Sequence, residues 1–333
     1  MDFSAGTLLL LSIMAAAIPA AVYVSIIYWF DRYEKEPMWL LSATFFWGAV
    51  PGIVLALVLN LLLSLPFYVA GPEIADILGA VVVAPPVEET VKAVALVAIF
   101  LLLRQEIDSL LDGIIYGAMV GMGFAVVENA FYFVTVYQES GLEAWRLNIF
   151  VRAVLFGLNH SLFTGMTGLG LAVSRFSVRR EVRLGAPLLG WAAAVTFHAL
   201  HNLGASLGGP FCLILPLTDW GGVWLLLAII VWALWQERSW LRTYLKEEVT
   251  LGTMTQRQYE IACSGHARLV RRLHLLFSEG VGAYLRATRF YRQCSELAYK
   301  KHHFAIVADA RSDRTMAQLR GELFELSREL HSP

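Results

Sequence analysis

Long apolar runs, separated by short polar loops, make up most of the first 236 residues of the chain. A helix of about 20 apolar residues is long enough to cross the hydrocarbon core of a bilayer. Seven runs reach that length, at about 6–30, 39–64, 74–103, 110–137, 148–174, 186–207 and 211–236. The pattern predicts an all-α protein, a polytopic helical membrane bundle of about seven spans.

The rest of the chain, from residue 239, has the pattern of amphipathic helices. Three or four helices are predicted, with candidates at about 255–277, 283–307 and 312–330 and short stretches containing Gly or Ser between them. Basic residues cluster on the first two helices, which is typical of a solvated face or of a face that contacts anionic lipid headgroups. We predict two domains, a transmembrane domain at 1–238 and a helical domain at 239–333.

Basic residues are distributed unevenly among the loops. The loop at 31–37 holds two, Arg104 lies in the third loop, and four arginines lie between 175 and 183, whereas 65–72 and 206–220 hold none. Short loops rich in Lys and Arg stay in the cytoplasm. The alternation predicts that the N-terminus lies outside and that the C-terminal domain is cytoplasmic.

The composition fits a membrane protein with a soluble appendage. Hydrophobic residues make up 57% of the chain and charged residues 16%, against about 25% charged in a typical soluble domain. The net charge of −1 gives no indication of a nucleic-acid partner. Three widely spaced cysteines without a C-x-x-C pair predict free thiols. The first run lacks a basic segment before it, so we expect a retained span rather than a removed signal peptide.

Two adjacent carboxylates and a lysine, Glu88, Glu89 and Lys92, lie inside the third apolar run. A charged residue that faces lipid at mid-bilayer costs about 2.5–3.5 kcal/mol, so these three side chains should face a protein interior or a water-filled cavity. The two prolines just before them cannot continue a helix from the preceding turn. We expect a non-helical break near Ala84 and a new helix from about Pro86, which also indicates a cavity.

Further ionisable side chains occur at a matching depth in three later spans. They are Glu128 in the fourth span, His160 in the fifth, and His198 with His201 and Asn202 in the sixth. Glu88, Glu128, His160 and His198 lie 15 or 16 residues from a polar residue at the cytoplasmic end of their span. That is roughly 22–24 Å along a helix. Four groups at one depth predict a shared site in the outer half of the membrane.

Such a set of buried Glu, His and Asn side chains suits three kinds of chemistry. It could bind a divalent metal with an open position for water. A glutamate could instead activate water without metal while His and Asn stabilise an oxyanion. It could also form the proton or ion relay of a transporter. The remaining alternative is a purely structural polar network, which would have the same free-energy cost of burial but would perform no chemistry.

The motifs together resemble those of the PrsW family of intramembrane proteases, which is related to the type II CAAX prenyl endopeptidases. They cover about residues 28–205 and comprise Asp31-Arg32 with Glu36-Pro37, Glu88-Glu89-x-x-Lys92, Phe124-x-x-x-Glu128 with Tyr132, His160 followed by Thr164 and Gly168, and His198-x-x-x-Asn202. The resemblance implies hydrolysis of a peptide bond in a membrane-anchored protein, such as an anti-sigma factor. The cut would lie near the extracytoplasmic side of a bacterial inner membrane.

The resemblance also implies roles for individual residues. Glu88 would be the general base, Glu89 its partner or the group that holds Lys92, and Asn202 an oxyanion donor. Glu128 and His198 would bind a divalent metal, which we expect to be zinc, or position the water. His160 would be a further metal ligand or an oxyanion donor. The sequence does not fix the rotation of the sixth helix, so His201 could replace His198.

Two other functions remain open from the sequence. A proton- or ion-coupled carrier could use the same buried cluster, although the chain has no internal repeat of the kind that many carriers show. A non-catalytic membrane scaffold could recruit a cytoplasmic partner through residues 239–333.

Overall fold

The structure is a computed structural model, and it describes residues 3–306 and 310–330. All regular elements in these ranges are helical, which confirms the predicted all-α class. We number the α-helices α1 (Ala5–Phe30), α2 (Met38–Trp47), α3 (Ile53–Ser64), α4 (Pro72–Leu78), α5 (Ala84–Leu102), α6 (Leu110–Ile149), α7 (Asn159–Phe176), α8 (Arg180–Leu207), α9 (Gly221–Tyr244), α10 (Lys246–Thr250), α11 (Gln256–Ala262), α12 (Gly265–Glu279), α13 (Val281–Ile306) and α14 (Ala310–Glu329).

Four described helical stretches are long and apolar enough to cross a membrane: Ala5–Phe30, Met38–Ala70, Leu110–Phe176 and Pro216–Thr250. The third of these has 67 residues, which is enough for two crossings, and it bends at Gly141, whose φ is +77°. Helices also fill the predicted third and sixth spans, but buried charges in α5 and histidines in α8 lower their apolarity. Seven spans and the orientation therefore stay predictions.

The chain forms two compact units. The first contains the described residues up to Phe30 together with Glu36–Ile230, and the second contains Asp31–Lys35 together with the residues from Val231 onward. The division lies inside α9, close to the predicted boundary at residue 239. It lies there because the end of α9 packs its apolar side chains, Leu241 among them, into the core of the second unit.

Close packing of α6 on α7 organises the first unit. A Cβ atom added at Gly113, Gly117 or Gly121 of α6 would lie 2.3, 2.5 or 2.1 Å from a carbonyl oxygen of α7. Glycine is therefore needed at these positions, since small residues allow two helix backbones to approach this closely. The contact brings the fourth and fifth predicted spans together at the depth of their polar residues.

The expected non-helical break before the charged motif is wrong. A π-helical turn, Gly79–Val83, joins α4 to α5, and α5 begins at Ala84 with helical φ and ψ of −60° and −47°. The Ala84 N–H donates to Gly79 O, five residues back. This wider turn places the two prolines in the first turn of α5, where their missing N–H groups are not needed.

The second unit has a core of its own. Leu241 and Leu245 pack with Phe290, Cys294 and Leu297 of α13, and all five are fully buried. The first predicted helix of this domain is divided into α11 and α12 because Ser264 caps α12, its Oγ accepting from the Ala267 N–H at 3.3 Å. The three cysteines are free thiols, as predicted.

A buried arginine in α12 anchors the short segment that connects α1 to α2. The Nη1 atom of Arg268 donates at 2.9 Å to the carbonyl oxygen of Tyr33 and to the Oγ atom of Ser295. The Ser295 hydroxyl also donates to the Tyr33 carbonyl oxygen at 2.6 Å. Residues 31–35 thus form part of the second unit through contacts with α12 and α13.

Candidate active site

Six of the seven predicted catalytic side chains meet in one buried cluster inside the first unit. They are Glu88, Glu89 and Lys92 on α5, Glu128 on α6, His160 on α7 and His198 on α8. Glu89 and Lys92 are completely buried, and His198 is 2% exposed. Four helices therefore converge on one polar site, as the matching depths predicted.

Lys92 lies at the centre of the cluster. Its Nζ atom is 2.8 Å from Glu89 Oε1, 3.0 Å from His160 Nδ1 and 3.6 Å from Glu88 Oε2. It also lies 3.9 Å from the centre of the Phe124 ring. Buried charges are tolerated only when they are paired and hydrogen-bonded, and the lysine supplies that pairing for both glutamates.

Glu89 accepts hydrogen bonds on both of its oxygens. Oε1 lies 2.8 Å from Lys92 Nζ and 3.1 Å from His198 Nδ1, and Oε2 accepts from the Thr164 hydroxyl at 2.9 Å. Because a carboxylate accepts only, His198 carries a proton on Nδ1, which leaves the lone pair of its Nε2 free. Glu89 thus orients His198 in the way that carboxylates orient metal-binding histidines.

Glu88 differs from its neighbour in having an oxygen without a hydrogen bond. Its Oε1 accepts from the Asn60 side-chain amide at 3.2 Å, whereas its buried Oε2 has no hydrogen-bond partner in the described part of the chain. That oxygen lies 3.8 Å from His198 Nε2. Two unused lone pairs therefore face the same small space.

Glu128 lies between an arginine and a histidine. Its Oε2 is 2.8 Å from Arg152 Nη2 and 2.9 Å from His160 Nε2. Arg152 also donates from Nε to the Asn129 side chain at 2.9 Å and stacks 3.7 Å above the Tyr132 ring. Since Lys92 donates to His160 Nδ1, the proton of that imidazole is on Nε2 and is donated to Glu128.

Glu88, His160 and His198 could together hold a metal ion. Each has one possible ligand atom, and these atoms lie within 4.8 Å of one another. To bind an ion, His160 would exchange one of its two hydrogen bonds, to Lys92 or to Glu128, for the metal. One carboxylate and two imidazoles form a donor set that zinc and similar divalent ions take. The buried Glu88 Oε2, which lacks a partner, fits such an ion. Glu128, the carboxylate ligand that the sequence motifs indicated, also lies close, with Oε2 2.9 Å from His160 Nε2, and the choice between the two glutamates stays a prediction.

A cavity of about 540 Å³ opens beside the cluster. Glu88 and Glu128 line it, and apolar side chains such as Ile53, Phe124 and Phe131 form much of its wall. The cavity thus lies directly beside two carboxylates of the cluster.

Residues 36–236 match the model of a family described as PrsW family intramembrane metalloprotease. The chain belongs to the PrsW family. The matched range contains all six residues of the cluster. Membership makes the chain a multi-pass membrane protein related to proteases, which confirms the resemblance that the sequence motifs carry.

Three curated relatives of this PrsW family member are each named Protease PrsW. The protein of Clostridioides difficile (strain 630) is 32% identical over 46% of this chain and 61% of its own length. The relative from Geobacillus kaustophilus (strain HTA426) is 28% identical over 51% and 69%. The one from Bacillus subtilis (strain 168) is 30% identical over 50% and 69%. No solved structure gives a significant match to the chain.

Asn202, the seventh predicted catalytic residue, lies outside the cluster. Its Nδ2 atom donates to the carbonyl oxygen of Ala80 at 2.8 Å. In the i to i+5 pattern of the π turn this carbonyl would face Pro85, which has no N–H to donate. Asn202 supplies the missing donor, and its assignment as an oxyanion donor stays a prediction.

The structure places His198 in the cluster and His201 in a separate one. His201 Nδ1 lies 2.7 Å from Asp219 Oδ2, and the Asn159 amide lies 3.0 Å from both atoms. The Phe163 ring stacks on His198 with ring centres 4.9 Å apart. Sequence periodicity could not decide between the two histidines because both lie within one turn of α8.

Sequence reasoning missed two residues that contact the glutamates of this family member. Asn60 is a polar residue within the apolar run of α3, and Arg152 is a cation within the predicted fifth span. A polar side chain that faces lipid has a free-energy cost, and this cost, which pointed to Glu88, applies to both residues because each needs a partner. That cost was the signal that could have found them.

Proposed function

We propose that the protein is an intramembrane endopeptidase that hydrolyses a peptide bond in a membrane-anchored protein. The observation that carries this proposal is the Glu88 carboxylate, which is buried, lines the cavity and keeps Oε2 without a hydrogen bond. A general base needs a free lone pair within reach of the proton that it removes. Of the two adjacent glutamates, only Glu88 meets that requirement.

In the proposed reaction Glu88 Oε2 accepts a proton from a water molecule in the cavity. The water oxygen forms a bond to the carbonyl carbon of the scissile peptide. The proton then passes to the leaving nitrogen as the C–N bond breaks. The Asn60 amide, which donates to Glu88 Oε1, holds the carboxylate in this orientation.

The two histidines and their partners hold the reacting groups in place. Glu89 fixes the proton on His198 Nδ1 and so presents Nε2 toward Glu88. Glu128, His160 and His198 would hold a divalent metal, with zinc the expected ion, which leaves Glu88 Oε2 free to act as the base. When bound, such an ion supplies Lewis-acid polarisation of the carbonyl and acidifies the attacking water. Lys92 and Arg152 compensate the charges of Glu89 and Glu128 and keep the donor atoms in place.

The substrate class follows from the resemblance and from the predicted orientation. We propose a protein with a membrane anchor, of the anti-sigma-factor kind, that is cut near the extracytoplasmic side of a bacterial cell membrane. The depth of the four ionisable groups, roughly 22–24 Å from the cytoplasmic edge, supports a cut in the outer half.

A comparison of membrane-protein N-termini tests the proposal. Cells would express the wild type, Glu88→Gln or the matched control Glu73→Gln, which changes an exposed carboxylate of α4. We expect new termini near the outer end of a single-span protein with the wild type and the control, and none with Glu88→Gln. The same termini with Glu88→Gln would overturn the assignment of the base. Identical termini in all cells would favour the carrier or scaffold.

A further inference from the structure

The charged side chains that line the cavity are all acidic. They are Glu88, Glu128 and Asp76, and no Lys, Arg or His belongs to the lining formed by the described residues. Lys92 and Arg152 lie behind the two glutamates and pair with them. Lys92 also pairs with Glu89, so the excess negative charge of the cavity is shared by Glu88 and Asp76, of which only Asp76 is exposed.

Asp76 is an exposed residue of α4, away from the buried cluster. Within residues 3–306 and 310–330 its side chain makes no hydrogen bond or ion pair. Ser64 and Tyr68 line the same part of the cavity, from the end of α3 and the 3-10 helix that follows. They add hydroxyl groups but no charge. This part of the wall thus contains a carboxylate that no other described side chain compensates.

We propose that Asp76 is a specificity-determining residue that selects substrates with Lys or Arg close to the scissile bond and disfavours Asp or Glu there. The inference rests on the proposed function. An extended substrate segment that reaches Glu88 must pass along the same cavity. A cationic side chain can pair with the Asp76 carboxylate, whereas an acidic one is repelled by it.

Such recognition would separate substrates from most membrane-anchored proteins. Lys and Arg concentrate on the cytoplasmic side of membrane spans, so a basic residue at the outer end of an anchor is uncommon. An acidic residue beside the cavity would recognise that uncommon basic residue. Because Asp76 is exposed, we expect its contribution to be roughly two- to fivefold, the size of an exposed ion pair.

The test uses the full chain in proteoliposomes with a library of single-span reporters. Each reporter has a Leu/Ala span followed by eight outer positions randomised among Ala, Gln, Lys and Glu, and cleaved products are sequenced. We expect wild type to enrich Lys and deplete Glu at one or two positions. Asp76→Asn should remove the preference, Asp76→Lys should reverse it, and Glu73→Gln should preserve it.

Two further readouts separate charge recognition from a general loss of activity. The preference should appear mainly in KM, and it should shrink as salt rises, because exposed charges are screened. If the wild type cuts reporters without a charge preference, or if Asp76→Asn keeps the preference, the inference is wrong while the proposed function stands. If the wild type cuts no reporter, the proposed function and the inference both fail.

Discussion

Glu88 and Glu89 are adjacent in α5, yet their carboxylates have opposite surroundings. Glu89 accepts from Lys92, His198 and Thr164, whereas Glu88 Oε2 accepts from no described residue. One carboxylate is committed to holding other side chains in place, and the other is free to react. The same chemical change at the two positions should therefore have different consequences.

We expect Glu89→Gln to destabilise the fold and Glu88→Gln to leave it nearly unchanged. Glu89→Gln leaves Lys92 buried without its closest anion, and breaking a buried pair costs about 3–5 kcal/mol. Glu88→Gln keeps an oxygen that can accept from Asn60. Thermal unfolding of the detergent-solubilised proteins would measure both changes. Equal unfolding temperatures for the two variants would contradict these separate roles.

At the scale of elements, several helices are joined by π turns that the apolar pattern could not reveal. One precedes α5 and its glutamates, another carries Arg152, and a third carries Asp219. A π turn adds one residue to a turn of helix and so rotates every side chain that follows it. Such turns are frequent at functional sites.

This rotation also limits what the sequence could predict. The helices and the six clustered residues were predictable, because charges in an apolar run must face a protein interior. The approach of Glu88 to both histidines was not, because it depends on the rotation of α5, which follows a π turn that the apolar pattern does not reveal. The contacts of Asn60 and Arg152 could not be predicted either, because their partners lie on other helices.

The π turn before α5 leads to a prediction for Asn202. Asn202→Ala removes the donor to the half-buried Ala80 carbonyl oxygen, and an acceptor left unsatisfied away from water costs about 1–3 kcal/mol. We expect a lower unfolding temperature together with a loss of activity. The control is Asn148→Ala, which changes an amide near the end of α6, outside the cavity lining. Loss of kcat at unchanged stability would instead favour the oxyanion role.

At the scale of the whole molecule, the three cysteines allow the orientation to be tested without engineered sites. Cys212 is exposed, whereas Cys263 and Cys294 are buried. Burial raises the pKa of both buried thiols, that of Cys294 to about 12. A raised pKa leaves little reactive thiolate at neutral pH. Cys212, which precedes α9, is therefore the thiol that should react in the folded protein.

We expect a membrane-impermeant maleimide to label Cys212 from outside in cells whose outer barrier has been removed. The predicted orientation places the connection between α8 and α9 on that side. Cys212→Ser should abolish the labelling, and Cys263→Ser should leave it unchanged. Labelling that requires lysis would reverse the orientation of the chain.

The anchoring of Tyr33 by Arg268 and Ser295 sets an order for biosynthesis. Arg268 follows Tyr33 by 235 residues, so the ribosome adds that many residues before the carbonyl oxygen finds its donor. At about 5–20 residues per second this takes roughly 10–50 s. Every predicted membrane span except the first is made within that interval. The connection between α1 and α2 is thus the first loop to be synthesised and one of the last parts of the protein to acquire its final hydrogen bonds.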